Sequence, residues 1–178
     1  MAKSENIVAI GETGLDYFYS ADTKDVQLTS FVDHIKVANE LNKPLIVHTR
    51  DARHDTISLL KEHKAPHTRG VLHCFTEDWE MAQAAIELGF YVSISGIVTF
   101  KSAQALQEVV KKIPLESLLI ETDSPWLAPV PYRGKQNQPG YVREVGEFIA
   151  QLKGISVDEL AKATTHNFYT LFNIPRTA

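Results

Sequence analysis

Residues 7–12, Ile7-Val8-Ala9-Ile10-Gly11-Glu12, are a short β-branched apolar run closed by a glycine and a carboxylate. The same grammar returns downstream in Leu45-Ile46-Val47-His48, in Gly70-Val71-Leu72-His73-Cys74, and in Leu118-Leu119-Ile120 followed by Glu121-Thr122-Asp123. Another apolar run spans Phe90 to Ser95. Short runs without polar alternation read as strands covered on both faces. The segments between them carry apolar residues at helical spacing. Leu28, Phe31, Ile35, Ala38 and Leu41 follow the candidate caps Asp22 and Thr23; Ile57, Leu59 and Leu60 follow Asp51. A helix opening at Thr76 with Glu77 and Asp78 should close at Gly89, and Ser102 should cap one bearing Leu106, Val109 and Val110. Beyond Gln138 two further helices carry Val142, Val145 and Ile149, then Leu160, Ala163 and Leu171, the last ending at Asn173-Ile174-Pro175. Five strands, each followed by helix, predict a parallel α/β sheet, either open and doubly wound or part of a (β/α) barrel.

The 178 residues suit one domain, 1–178, with no linker-like or low-complexity stretch inside it. Apolar residues make up 44% and charged residues 22%, an ordinary globular balance. The formal charge of −4 argues against a protein that coats nucleic acid by bulk electrostatics, and leaves room for a local phosphate pocket. Cys74 is the single cysteine, so no internal disulfide forms. The opening residues lack the long apolar core of a signal peptide, and no run approaches the roughly 20 residues needed to span a bilayer. A cytoplasmic protein with no membrane partner is the expectation.

Strand parity sharpens the pattern. Side chains two residues apart share a face, so Glu12 follows Ile10, His48 follows Ile46, His73 follows Val71, and Glu121 and Asp123 follow Leu119. Each polar group stands at the C-terminal mouth of its strand, where a barrel builds its active site. One strand-end histidine is usually a satisfied structural residue. Two imidazoles and two carboxylates at matched positions form a set suited to divalent cations.

Gly11-Glu12-Thr13-Gly14-Leu15-Asp16, Val47-His48-Thr49-Arg50-Asp51-Ala52, Leu72-His73-Cys74-Phe75 and Glu121-Thr122-Asp123-Ser124-Pro125 resemble, in order, four signatures of the TatD-type metal-dependent deoxyribonucleases. The resemblance runs from about Ile7 to Pro175 and implies a TIM (β/α)8 barrel of the amidohydrolase kind. This chain would supply a partial barrel, strands 4–8 with their helices, and Met1 would fall where a family helix ends. The resemblance further implies two divalent metal ions (Mg²⁺, Mn²⁺ or Zn²⁺) in a complete site. Glu12 would bridge them, His48 and His73 would complete one, and Asp123 would hold the other and orient the attacking water. The implied reaction is hydrolysis of a phosphodiester in DNA by metal-activated water.

Around this set, Glu121 is expected to support a ligand from behind. Arg133, Lys135 and Asn137, in a Pro- and Gly-rich loop, are candidates for substrate phosphate, as is Arg50. Asp51 reads better as a helix cap, and Cys74 as helix-facing core. Trp126, following Ser124-Pro125, is a better candidate than Trp79 for stacking a base. His34, His54, His63, His67 and His166 read as surface or packing residues. The chain departs from the family in one respect: no His-x-His pair occurs in it, and that pair would complete the Asp123 metal. A sheet of five strands leaves two edges and apolar inner faces open. Self-association, a complementing N-terminal segment and weak activity of the chain alone follow as expectations. Two other readings share these residues: an amidohydrolase acting on a small ester, lactone or amide, and a non-catalytic interaction module.

Overall fold

Each βα unit pairs its strand with that of the unit before it. In the computed structural model, which describes residues 2–175, the strands are β1 (Ile10–Asp16), β2 (Leu45–Arg50), β3 (Gly70–Leu72), β4 (Phe90–Ile94) and β5 (Leu118–Ile120). They form one parallel sheet in the order β1-β2-β3-β4-β5. A doubly wound sheet reverses its strand order at a switch point. This sheet does not, which removes the open doubly wound alternative. The helices are the short α1 (Tyr17–Ser20), then α2 (Lys24–Leu41), α3 (Arg53–His63), α4 (Trp79–Glu87), α5 (Gln104–Lys112), α6 (Val142–Lys153) and α7 (Val157–Phe172).

The main core lies between one sheet face and the helices. Leu45, Val47, Leu72, Phe90, Val92, Ile94 and Leu118 meet Phe31, Ile35, Leu60, Met81, Val110 and Ile149, all buried. The other face carries a second cluster, in which Val71 and Leu119 pack with Ile46, Tyr91 and the end of α7 at Leu171 and Phe172. The expected exposed inner face is therefore partly covered: Val71 and Leu119 are buried, while Ile46 and Tyr91 stay half-buried. α7 is held there by Asn167, whose amide donates to the Leu115 and Leu118 carbonyls at 2.7 and 2.8 Å.

Several expected boundaries move. The first strand was expected over Ile7–Ile10 and ends instead at Asp16; Ile7 and Val8 are exposed. A register shift between Ile10 and Thr13 bends its start, so Glu12 does not close the strand. β3 stops at Leu72, leaving His73 and Cys74 beyond it. Asp51, Thr76 and Ser102 are not the helix caps. Ala52, Asp78 and Ala103 stand at those positions, and Asp78 accepts from the Met81 amide at 2.9 Å. Thr23 stands at the start of α2 but makes no side-chain capping bond, while Gly89 and Asn173 follow the ends of their helices as expected. Met1 and its expected place at a helix end lie outside the described residues. Among the described residues no helix is long and apolar enough to cross a membrane.

Candidate metal centre

Both imidazoles point at one oxygen. Glu12 Oε1 lies 3.2 Å from His48 Nδ1 and 2.8 Å from His73 Nε2. Each ring is gripped on its other nitrogen by a second carboxylate: Asp16 Oδ2 at 3.1 Å from His48 Nε2, and Glu121 Oε1 at 3.4 Å from His73 Nδ1. A carboxylate behind an imidazole fixes its tautomer and orientation, the arrangement found behind metal-ligating histidines. Glu12, His48 and His73 form one group whose ligand atoms lie within 4.8 Å of one another; His73, Glu121 and Asp123 form a second.

The backbone explains the convergence. β1 and β2 approach so closely that a Cβ on Gly14, at φ +142°, would sit 1.9 Å from the His48 carbonyl oxygen. Only glycine allows that approach, and it draws Glu12 and Asp16 to either side of His48. Gln27 of α2 fixes Asp16: it accepts from the Asp16 amide at 2.7 Å and donates to the Asp16 carbonyl at 3.1 Å. Asp123 lies past β5 with φ +59°, and its carbonyl accepts from the Trp126 amide at 2.9 Å.

Charge follows geometry. Burial pulls the His73 imidazolium down, but Glu121 and Glu12 outweigh it and raise its pKa to about 9. Burial pushes Glu121 up, yet hydrogen bonds from His73, Ser93 and the Cys74 amide leave it lowered overall. Asp16 is likewise lowered, its desolvation outweighed by the Tyr19 amide and His48. Asp123 moves the other way, raised by burial and by Glu121. Burial raises the Cys74 thiol to about 12; its Sγ lies 3.2 Å from Ser95 Oγ, leaving an inert thiol.

The two groups differ in donor chemistry. Two imidazoles with one carboxylate suit Zn²⁺ or Mn²⁺, while one imidazole with two carboxylates also admits Mg²⁺. Asp123 gathers with His73 and Glu121 in the second group, and Glu121, expected behind a ligand, stands among the ligand atoms as well as behind His73. Asp16 is the residue that sequence reading missed. It shares parity with Glu12 and closes the first quoted motif, but the expected strand end at Gly11 placed it in a loop.

Substrate candidates fall in different places. The Arg50 guanidinium carbon lies 4.1 Å from the centre of the Phe18 ring and 4.6 Å from that of Tyr19, two rings set at 90° to each other. Arg133 and Lys135 are exposed and line a cavity of about 550 Å³ with Phe100 and Trp126. Asn137 is not on that surface. It is buried, and both hydrogens of its amide go to the Thr122 and Trp126 carbonyls at 2.7 and 2.6 Å, so it braces the loop instead of facing substrate. Trp79 packs against the core, whereas Trp126 is 71% exposed. Outside the centre, His34 Nδ1 lies 2.7 Å from the Ser30 carbonyl, His67 Nε2 lies 3.2 Å from that of Asn39, and the His54 side chain is almost fully exposed.

Relatives carry the same fold. The chain is 58% identical over 174 residues to Escherichia coli YcfH, and 47% identical over 174 residues to Bacillus subtilis YabD, both described as uncharacterized metal-dependent hydrolases. These matches take in 98% of this chain but 66% and 68% of the relatives, so the chain spans about two thirds of their length. The crystal structure of YJJV, a TatD homologue from Escherichia coli, superposes with a TM-score of 0.90 at 33% identity, over 96% of this chain and 66% of that one. The pattern of the TatD related DNases matches residues 1–173, and the chain belongs to that family.

Proposed function

We propose that the protein is a metal-dependent phosphodiesterase acting on DNA, with its centre at Glu12, His48, His73, Glu121 and Asp123. The observation that carries this reading is the pair of imidazoles converging on Glu12 Oε1, each gripped from behind by a further carboxylate. In this reading Glu12, His48 and His73 hold one divalent cation, and Asp123 with its neighbours faces a second. Cations there supply Lewis acidity toward the phosphoryl oxygens and lower the pKa of water. Asp123, raised by burial and by Glu121, accepts the proton of the attacking water. Arg133 and Lys135 bind phosphate flanking the scissile group. Asp16 and Glu121 keep His48 and His73 aimed.

The five strands correspond in this reading to strands 4–8 of a closed eight-stranded barrel, in keeping with the share of the relatives that the chain spans. With no His-x-His pair in its sequence, the second cation is held weakly, and turnover by the 178-residue chain alone is low. The working compartment is the cytoplasm.

The test compares the purified 178-residue chain on labelled DNA and on a panel of small esters, lactones and amides, with Mg²⁺, Mn²⁺ or Zn²⁺. Calorimetric metal titration runs in parallel on the same chain and on its Glu12→Gln variant. Specific metal binding lost in the variant, with metal-dependent DNA cleavage, supports the reading. Cleavage of small esters but not DNA points to the amidohydrolase alternative, and no specific metal site in the parent chain points to an interaction module.

A further inference from the structure

The first turn of α3 is bonded to the segments on both sides of it, and each of those segments follows a group of the centre. Tyr17 directly follows Asp16, which grips His48; α3 opens at Arg53, shortly after His48; Glu77 and Asp78 lead from His73 into α4. On one side, Asp55 Oδ2 accepts from Lys24 Nζ at 2.7 Å and from the Tyr17 hydroxyl at 2.8 Å. Lys24 and Tyr17 hold the Asp55 carboxyl down at about 2, so it stays charged at ordinary pH. On the other side, Arg53 Nε lies 3.2 Å from Glu77 Oε2, and its Nη1 bonds the Asp78 carboxylate. The Asp51 amide donates to Glu77 Oε1 at 3.3 Å.

These bonds answer a local deficiency. Ala52 stands at the N-cap of α3 without a side chain that can cap, and Asp51 before it has φ +54°. A helix start of this kind lacks a partner for its first amides. Glu77, from the next unit, brings a carboxylate to that end, where the helix dipole favours an anion. Its side chain is only 9% exposed, so both oxygens are committed to the α3 entry. Asp78 is at once a partner of Arg53 and the cap of α4. Ion pairs as exposed as those of Arg53 and Lys24 add little to stability by themselves. What they join is the more telling feature.

We propose that Arg53 and Asp55 are positioning residues for the metal centre. Through Glu77 and Tyr17, the first turn of α3 clasps the segments after β1 and β3 to the end of β2, and so sets how His48 and His73 meet Glu12 Oε1. This rests on the metal reading above and extends it to residues whose bonds lie outside the centre. The convergence at 3.2 and 2.8 Å needs such support, because a site about 1 Å too loose loses its function.

The test measures Co²⁺ affinity of the 178-residue chain by chelator competition, together with the visible spectrum of the bound ion and denaturant melts. Tyr17→Phe and Glu77→Gln each remove a clasp bond at nearly constant shape. Each is expected to weaken Co²⁺ about tenfold and to alter the spectrum, with little change in the melt. Arg53→Met, at a half-exposed side chain, is expected to match Glu77→Gln and decides the matter if that variant fails to fold. Asn167→Ala, which frees α7, is the control: it is expected to lower stability and leave affinity and spectrum unchanged. Clasp variants with the affinity and spectrum of the parent overturn the clasp and leave the metal reading standing. Affinity that merely follows stability, in Asn167→Ala as in the others, also overturns it. Failure of the parent chain to bind Co²⁺ overturns both.

Discussion

His73 lies between Glu12 and Glu121, and the pair of carboxylates holds its proton to a pH of about 9. A cation that binds through the same nitrogen must displace that proton. Metal affinity is therefore expected to rise with pH up to about 9, roughly tenfold per unit, with a proton released into the buffer on binding. Calorimetry in buffers of different ionisation enthalpy checks both parts, and a pH-independent affinity with no proton release would contradict them. The folded-state pKa is raised, so in the metal-free protein the contribution of His73 to stability is full below its ordinary value of 6.5. It is lost as pH rises through 9. Asp16 offers a second check. Asp16→Asn keeps the shape behind His48 but removes the charge, and is expected to weaken metal binding about 10–100-fold, read by competition with a chromophoric chelator.

Among the elements, Gly14 is where strand geometry and site geometry meet. Gly14→Ala forces a methyl group into the His48 carbonyl at a φ that side chains rarely adopt, so β1 and β2 must part. The expected loss is on the order of 3 kcal/mol, seen in denaturant melts, with metal affinity falling alongside. Substitution at Gly134, whose Cβ would meet nothing within 4 Å, is expected to leave the metal site intact. The sheet was legible because β-branched runs and helical spacing are strong signals, and β2, β4, β5, α2, α6 and α7 lie close to where those signals place them. The ends were not. The shift in β1 breaks alternation after Ile10, so Asp16 and its grip on His48 lay hidden in an expected loop. Asp123 likewise departs from strict alternation through its left-handed backbone, which turned it toward Glu121 and His73. Asn137 looked like a polar loop residue because no local pattern reveals that two carbonyls some distance away in the chain use up its amide.

Across the whole molecule, β1 and β5 each pair on one side, and Ile46 and Tyr91 stay half-buried on the inner face. Unpaired edges beside apolar surface invite pairing with another chain. The 178-residue chain is expected to sediment as a dimer or larger species at tens of micromolar, shifting toward monomer on dilution; a monomer at every concentration would contradict this. The order of the strands has a different consequence. Each strand adds beside its predecessor in the chain, as Leu45 does beside Ile10 and Phe90 beside Gly70, so its partner has already left the ribosome when it emerges. The sheet can therefore assemble unit by unit during synthesis. The inner apolar cluster waits for Leu171 and Phe172 of α7, which emerge after all five strands.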